Sequence, residues 1–347
     1  MKSRSRGNLP SSDLQEILTH TRTSLAEVST ARILICGGSG FIGTWLTSAL
    51  LEANAELKLN LEILLITRNI ENAKKSLMPL SSDPIKFLNG DLSSQEDPFR
   101  NLRGSFSHII HAATPTILSN NKHDQEKSYR STVLGSSRLV DFALRMITPP
   151  ILLHTSSGAV YGSQPIELEN IPEGWENDNL RDGITSYGLA KLEAEKVLSQ
   201  ANFSGVLKAT NPRLFTFFGP KLPLDAKYAI GNFMADGLNR NEILIKGHPN
   251  TRRSYMYPTD LIEWIIKCLI NPSLNPLHIG SDEGIYMKDL ASQLAQKLGG
   301  KTVGDGDSTI AKSNYVPGNM QTKITLGVTQ RVTLEDGVNR WINWLRQ

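Results

Sequence analysis

The sequence predicts an α/β fold: a Rossmann-type, doubly wound parallel sheet with a smaller C-terminal substrate-binding lobe. Three observations carry this expectation. From Arg32 onward, short apolar runs alternate with helical stretches, and buried strands separated by helices imply a parallel sheet covered on both faces. The first apolar run passes directly into a glycine-rich loop and then a helix, the order of a dinucleotide-binding unit. After about Arg213 the spacing loosens, and the helical segments are separated by loops rich in Gly, Pro and Asn, as suits a lobe that closes over a ligand.

Taken in order, residues 1–12 read as a disordered tip. Ser12 and Asp13 suit a helix cap, and Leu14, Ile17, Leu18, Leu25 and Val28 then fall on roughly one face. This predicts an amphipathic arm over 13–29, packed on the main domain or on a partner subunit. Strands are expected at 33–36, 61–67, 85–88, 108–112, 151–156 and 206–210, and helices at 41–53, near 126–147 and near 186–201. Further helices are expected at 228–239, 259–270, 287–298 and 333–346. The organisation is therefore an N-terminal arm over 1–30, a dinucleotide-binding domain over 31–215, and a lobe over 216–347 that is mainly substrate-binding and partly interleaved with the domain before it.

Composition narrows the function classes. The 347 residues suffice for one large domain and a smaller lobe. With 39% hydrophobic and 20% charged residues, the chain has the balance of a soluble globular protein. A net charge of +3, spread along the chain, argues against nucleic acid as a partner. Cys36 and Cys268 are too few and too far apart for a disulfide framework or a Cys-rich zinc site, and suit a reducing, cytoplasmic setting. His108 and His111 point to opposite faces of their strand, so no metal is expected there. No apolar run is long enough to span a bilayer, and the basic N-terminus lacks the apolar core of a signal peptide.

The cofactor end comes first in the chain. In Gly37-Gly38-Ser39-Gly40-Phe41-Ile42-Gly43, Gly37 permits a tight turn, Gly40 lets the backbone approach a pyrophosphate, and Gly43 allows close helix packing. The N–H groups and positive dipole end of the following helix then face the phosphates. The alternative, a glycine turn that merely joins two elements, does not require this strand–loop–helix context. The second strand ends Thr67-Arg68, with no acidic residue to hold ribose hydroxyls. Arg68 can neutralise a 2′-phosphate, which favours NADP over NAD, with a solvated loop charge as the alternative. Asp91, followed by Leu92, is placed to meet the adenine, and Ala112 and Ala113 are small enough for a cofactor to lie against them.

The chemical end follows. Of eight tyrosines, only Tyr187 has a lysine four residues later, Lys191, which places both on one helix face. A nearby ammonium, together with an oxidised nicotinamide, stabilises tyrosinate and lowers the tyrosine pKa from about 10 toward neutrality. Such a tyrosine can take a proton from a sugar hydroxyl while hydride leaves the same carbon. Thirty residues upstream, in Thr155-Ser156-Ser157, Ser157 can reach the same oxygen, or serve only in a turn hydrogen bond.

With these motifs in sequence order, the chain resembles the extended short-chain dehydrogenase/reductases, the NAD-dependent epimerase/dehydratase family that acts on nucleotide sugars. The resemblance runs from about Arg32 to near the C-terminus. It matches Gly37, Gly40 and Gly43 to the glycine loop, and Ser157, Tyr187 and Lys191 to the catalytic set, of which Tyr187 and Lys191 also border the cofactor. The stretch from Gly247 to Asp260 resembles the one whose arginine grips the substrate diphosphate, which implies that role for Arg253. Asn232 falls in the substrate-binding region. The resemblance further implies a nucleotide-diphosphate sugar as substrate and a homodimer packed through the helices near 126–147 and 186–201.

Departures from the family pattern matter equally. Where the 4,6-dehydratases carry an Asp-Glu pair after the catalytic hydroxyl residue, this chain has Gly158 and Ala159, and decarboxylating relatives keep a Glu at the second position. Loss of water or carbon dioxide therefore lacks its usual catalyst. What remains is oxidation and reduction at a sugar carbon. The first expectation is an epimerase working, at C4, through a keto intermediate. The second is an NADPH-dependent reductase of a nucleotide-linked keto sugar. A non-catalytic dinucleotide-binding regulator would need a broken catalytic set, whereas Ser157, Tyr187 and Lys191 are all present.

Overall fold

The computed structural model describes residues 8–77, 85–114, 122–175, 183–224, 228–310 and 312–347. The strands are β1 (Arg32–Cys36), β2 (Glu62–Thr67), β3 (Ile85–Asn89), β4 (His108–His111), β5 (Ile151–His154), β6 (Ser156–Ser157), β7 (Lys208–Thr210), β8 (Arg213–Leu214), β9 (Glu242–Leu244), β10 (Arg252–Ser254), β11 (His278–Ile279), β12 (Gly284–Tyr286) and β13 (Lys301–Val303). The helices are α1 (Ser11–Ala26), α2 (Phe41–Leu57), α3 (Ile70–Leu77), α4 (Lys122–Ala143), α5 (Ser186–Phe203), α6 (Ala229–Arg240), α7 (Pro258–Ile270), α8 (Met287–Leu298), α9 (Met320–Leu326) and α10 (Leu334–Arg346).

Six strands form one parallel sheet in the order β3-β2-β1-β4-β5-β7. The expected α/β fold and parallel central sheet are what the chain adopts. Because a strand's side chains alternate between faces, a strand buried on both sides feeds two cores. Ile33 and Ile35 of β1 join α1, α2 and α7 in one core, while Leu34 and Cys36 join Leu139, Phe142, Leu198 and Ala201 of α4 and α5 in the other. The strand order reverses at β1, between β2 and β4, so the crevice for a ligand opens there, beyond the strands' carboxyl ends. A further core around Phe218, Tyr257, Leu290 and Trp341 binds α6, α8 and α10 together.

The expected fifth strand, 151–156, breaks at Thr155. β5 stays in the main sheet, while β6 joins β8 and β11 in a separate parallel sheet. This break carries Ser157 away from the main sheet and above its edge. Helix α4 stops at Ala143, four residues before its expected end, which leaves Ile147 exposed. Helices α3 and α9 and the two-stranded pairs β10–β12 and β9–β13 were not expected from periodicity, being too short to show it. Among the described residues, no helix is long and apolar enough to cross a membrane.

The N-terminal arm packs on its own chain, against α2 and α7. Its residues from Asn8 onward are placed, and Trp344 Nε1 donates to Asn8 O at 2.7 Å; residues 1–7 of the expected tip lie outside the described residues. The cap is not Ser12 or Asp13: Pro10 is the N-cap, without a side-chain hydrogen bond. Asp13 is instead buried, where Tyr257 Oη donates to its Oδ2 at 2.7 Å and Arg340 Nη1 approaches its Oδ1 at 3.3 Å. Arg340 also pairs with Glu16 and Asp336. Burial raises the Asp13 pKa, against the Tyr257 hydrogen bond and the Arg340 charge.

Arg340→Met would leave the Asp13 carboxylate buried with one neutral partner. By the cost of an uncompensated buried charge, discounted for the part-exposed arginine, we expect a loss of roughly 1–3 kcal/mol in urea unfolding. Adding Asp13→Asn should recover part of that loss; a double variant no more stable than the single one would contradict the charge-pair account.

Candidate active site

The glycine loop follows β1. Gly37 has φ +91°, and a Cβ there would stand 2.5 Å from the Ala112 carbonyl carbon, so the turn closes against the backbone after β4 only with glycine. A Cβ on Gly43 would lie 2.1 Å from Gly37 O. Gly43 thus seats α2 on the turn itself, rather than on the strand. At Gly40 the nearest atom is 3.5 Å from such a Cβ, an ordinary contact. Ser39 and Gly40 are exposed, and Gly40 caps α2 with no side chain. The leading N–H groups of a 17-residue helix are therefore offered to a ligand from a glycine edge. These residues fit a dinucleotide pyrophosphate.

Phe41 and Ile42 are half-buried, and Phe41 stacks on Phe217 at 4.9 Å. Arg68 is exposed at the end of β2. Asp91 binds its own loop through Ser93 N at 2.8 Å and Ser93 Oγ at 2.6 Å. Burial works to raise its pKa, but these bonds and the charges of Arg68 and Lys127 prevail and hold it low. Leu92 could meet a cofactor only through its backbone. Its side chain is buried in the core beside α4, and its carbonyl accepts from Arg138 Nη1 at 2.9 Å, so it has no side chain to offer a cofactor. Ala112 and Ala113 are half-buried beside Gly37.

Ser157, Tyr187 and Lys191 come together beyond the carboxyl ends of β4 and β5. Thr185 caps α5, accepting from Gly188 N at 3.1 Å. A Cβ on Gly188 would be 2.2 Å from Ala159 O, so the helix presses onto the turn after Ser157 and delivers Tyr187 to it. Ser157 Oγ accepts from Ala159 N at 3.1 Å and lies 3.3 Å from Tyr315 Oη; the turn role and the site role coexist. Lys191 Nζ lies 5.8 Å from the Tyr187 ring centroid. It donates to Thr114 Oγ1 at 2.8 Å and to Thr155 O, and sits 3.4 Å from His154 Nε2.

The protein's own groups do not lower the Tyr187 pKa; the expected lowering joins an oxidised nicotinamide to the Lys191 ammonium. Burial and the neighbouring phenols of Tyr315 and Tyr228 raise it, against a hydrogen bond from Ser157. Lys191 moves the other way: burial brings its amine down to about 7, against the attraction of Glu195. Glu195, one turn further on, takes Arg213 Nε at 3.0 Å and Nη2 at 2.7 Å.

The sequence reading missed Gly188, Tyr315 and His154. A glycine in the first turn of a helix, next to the candidate tyrosine, was the available signal for the first. Nothing local marks Tyr315, more than a hundred residues downstream. The positions without acid are also explained in part. A Cβ on Gly158 would stand 2.5 Å from the Phe215 ring, so a side chain there would require the ring to move. On the lobe side, Arg253 is half-buried, with its Nη2 2.9 Å from Ser313 Oγ and its guanidinium 5.9 Å from the Tyr315 ring centroid. Asn232 is exposed on the first turn of α6.

A family pattern described as the NAD dependent epimerase/dehydratase family matches residues 33–279. UDP-glucuronic acid decarboxylase 1 of Arabidopsis thaliana is 24% identical over 323 residues, spanning 91% of this chain and 70% of that protein. Among solved structures, a dTDP-glucose 4,6-dehydratase of Streptomyces venezuelae with NAD bound superposes with a TM-score of 0.76 at 21% identity, over 91% of this chain and 97% of the other. A UDP-glucose 4-epimerase of Thermotoga maritima gives 0.75 at 20% identity, over 91% and 98%.

The burial of Lys191 has a measurable consequence. Its folded pKa, about 7, lies below its unfolded value, so between the two the unfolded chain binds more protons and this group's contribution to stability rises with pH. Below about pH 7 the full cost of the buried charge is present. Lys191→Met should therefore raise the melting temperature more at pH 6 than at pH 9, by roughly the equivalent of 2 kcal/mol or more. An equal effect at both pH values would count against a buried, charge-penalised amine.

Proposed function

The chain belongs to the NAD dependent epimerase/dehydratase family, and we propose that it is a nucleotide-sugar epimerase that oxidises and re-reduces one sugar carbon, at C4, through a keto intermediate. The observation that carries this reading is the meeting of Ser157, Tyr187 and Lys191 above the glycine loop, with Gly158 closed off by Phe215 and only a methyl group at Ala159.

The dinucleotide would lie on Gly37, Ser39, Gly40 and the first turn of α2, with Ala112 and Ala113 beneath it. When bound, it supplies the acceptor and donor for the electron pair of the sugar carbon. The chain's residues do the rest. Ser157 Oγ donates to the sugar hydroxyl oxygen and fixes it beside the Tyr187 phenol. Tyr187 Oη takes the hydroxyl proton as the carbon is oxidised, and returns it when the keto group is reduced on its other face. A charged Lys191 stabilises the tyrosinate between these steps. Arg253 and Asn232 would hold the nucleotide diphosphate, a charge-assisted contact suited to arginine. Arg68 favours NADP, since Thr67 offers no carboxylate to ribose hydroxyls. Leu189 and Phe203 on α5, with Leu144 and Ile147 just after α4, are exposed and support a homodimer through those helices.

One observation favours a second reading. Arg68, poised for a 2′-phosphate, suits a consumed reductant, which points to an NADPH-dependent reductase of a nucleotide-linked keto sugar.

The test is to isolate the protein, identify its dinucleotide, and add UDP-glucose, UDP-glucuronic acid and dTDP-glucose while following the absorbance of reduced nicotinamide. Sugar isomerised with no net absorbance change supports the epimerase; reductant consumed one-for-one against a keto sugar supports the reductase. In either case Tyr187→Phe should cut turnover by about 10²- to 10⁴-fold while the dinucleotide stays bound. Undiminished turnover in that variant rejects the mechanism.

A further inference from the structure

We propose that His154 is a positioning residue for the lysine of the site: its Nε2 lone pair is one of three acceptors that converge on Lys191 Nζ and hold the amine charged and aimed beneath Tyr187. This rests on reading Lys191 as the lysine that works with Tyr187.

The geometry is closed on all sides. Lys191 and His154 are 1% and 0% exposed, so the contact is shielded from bulk solvent. An ammonium has three protons, and among the described residues three acceptors meet it: Thr155 O, Thr114 Oγ1 at 2.8 Å and His154 Nε2 at 3.4 Å. An imidazole can fill the third place only as a neutral ring with its proton on Nδ1. The surroundings favour that state. Burial, the Lys191 charge and the adjoining His111 all drive the His154 pKa well below its usual value, against Asn211. Asn211 is a hydrogen-bonding neighbour of the ring, although its Oδ1 and His154 Nδ1 stay outside good hydrogen-bonding geometry.

The second histidine backs the first. His111 of β4 lies 5.3 Å from His154, centroid to centroid, and its Nε2 is 3.3 Å from Thr132 O. Burial and the Lys191 charge bring its pKa to about 3, so it too is neutral. The groups facing Lys191 are therefore His154 from β5, His111 from β4, Thr114 after β4, and Tyr187 and Glu195 from its own helix. Glu195 is committed to Arg213 and Ser156, which leaves the neutral ring as the side chain from β5 that solvates the ammonium.

Removing that acceptor must favour the neutral amine. The test is to follow the Lys191 side-chain resonance by NMR on isotope-labelled lysine, assigned by its loss in Lys191→Met. In the unaltered protein the midpoint should fall near neutrality. In His154→Phe it should move down by about one pH unit or more, and the alkaline limb of NADP⁺ affinity should move with it. His154→Gln, which offers an amide oxygen in place of Nε2, should return the midpoint toward the original value. That comparison also serves if the Phe variant does not fold, with His154→Leu in its place. A midpoint unmoved or raised by loss of the ring overturns the proposal, since Thr155 O and Thr114 would then suffice. If the midpoint moves as expected but Lys191→Met leaves NADP⁺ affinity and turnover intact, the pairing stands and the catalytic reading of Lys191 falls.

Discussion

Everything at this site depends on two helices reaching the ends of the strands more closely than a side chain allows. At Gly43 and Gly188 a Cβ would stand 2.1 Å and 2.2 Å from backbone oxygens of Gly37 and Ala159, separations that no side chain tolerates. Glycine in a helix costs on the order of 1 kcal/mol relative to alanine, and the chain accepts that cost twice to gain position. At Gly43 the approach seats α2 on the loop that faces a dinucleotide. At Gly188 it brings Tyr187 to Ser157 across a turn that the main sheet does not hold. The break of the fifth strand at Thr155 serves the same end, since a strand running through 156 would keep Ser157 in the sheet.

A second constraint is the cation carried under that contact. Lys191 sits among backbone, hydroxyl and imidazole groups rather than beside a free carboxylate, and its amine is brought close to neutral pH. Glu195, which might have neutralised it, is bound bidentately by Arg213 instead. That ion pair fastens α5 to β8, and a fork-to-carboxylate pair of this kind is directional as well as strong. The Arg213 guanidinium lies 4.7 Å from the Tyr161 ring centroid, and Tyr161 Oη meets His278 Nε2 at 2.6 Å. The carboxylate thus anchors the helix, while the lysine remains able to hold or yield a proton.

Much of this was legible in the sequence, for identifiable reasons. The parallel sheet and the glycine loop announce themselves because buried strands and phosphate turns impose local composition. Tyr187 and Lys191 are visible because a helix converts a spacing of four into a shared face. What stayed hidden was either too short to be periodic, like α3 and α9, or long-range. Tyr315 reaches Ser157 across 158 positions, and no local pattern encodes such a contact. The Leu92 side chain follows hydrophobicity into the core, which its position at a ligand edge after a strand did not announce. The arm over α2 and α7 was readable as amphipathic, but its tether, Asp13 to Tyr257 and Arg340, spans nearly the whole chain.

The proposed reaction departs from those of the dehydratases and decarboxylases that the chain resembles, and at Gly158 the departure has a steric side as well as a chemical one. The Phe215 ring that crowds Gly158 lies 4.7 Å from the Tyr315 ring and 5.0 Å from His278, so it is held in place from two sides. Tyr315 in turn brings a hydroxyl to Ser157, with a pKa raised to about 12 by burial, against the Ser157 hydrogen bond and the Arg253 charge. A carboxylate at 158 would have to displace a packed aromatic wall, and Tyr315 brings a phenol rather than a carboxyl group to Ser157. On the proposed reading, an aromatic wall of this kind leaves proton transfer to Tyr187 and Ser157 at a single oxygen. That suits the proposed reaction, in which one carbon is oxidised and reduced again.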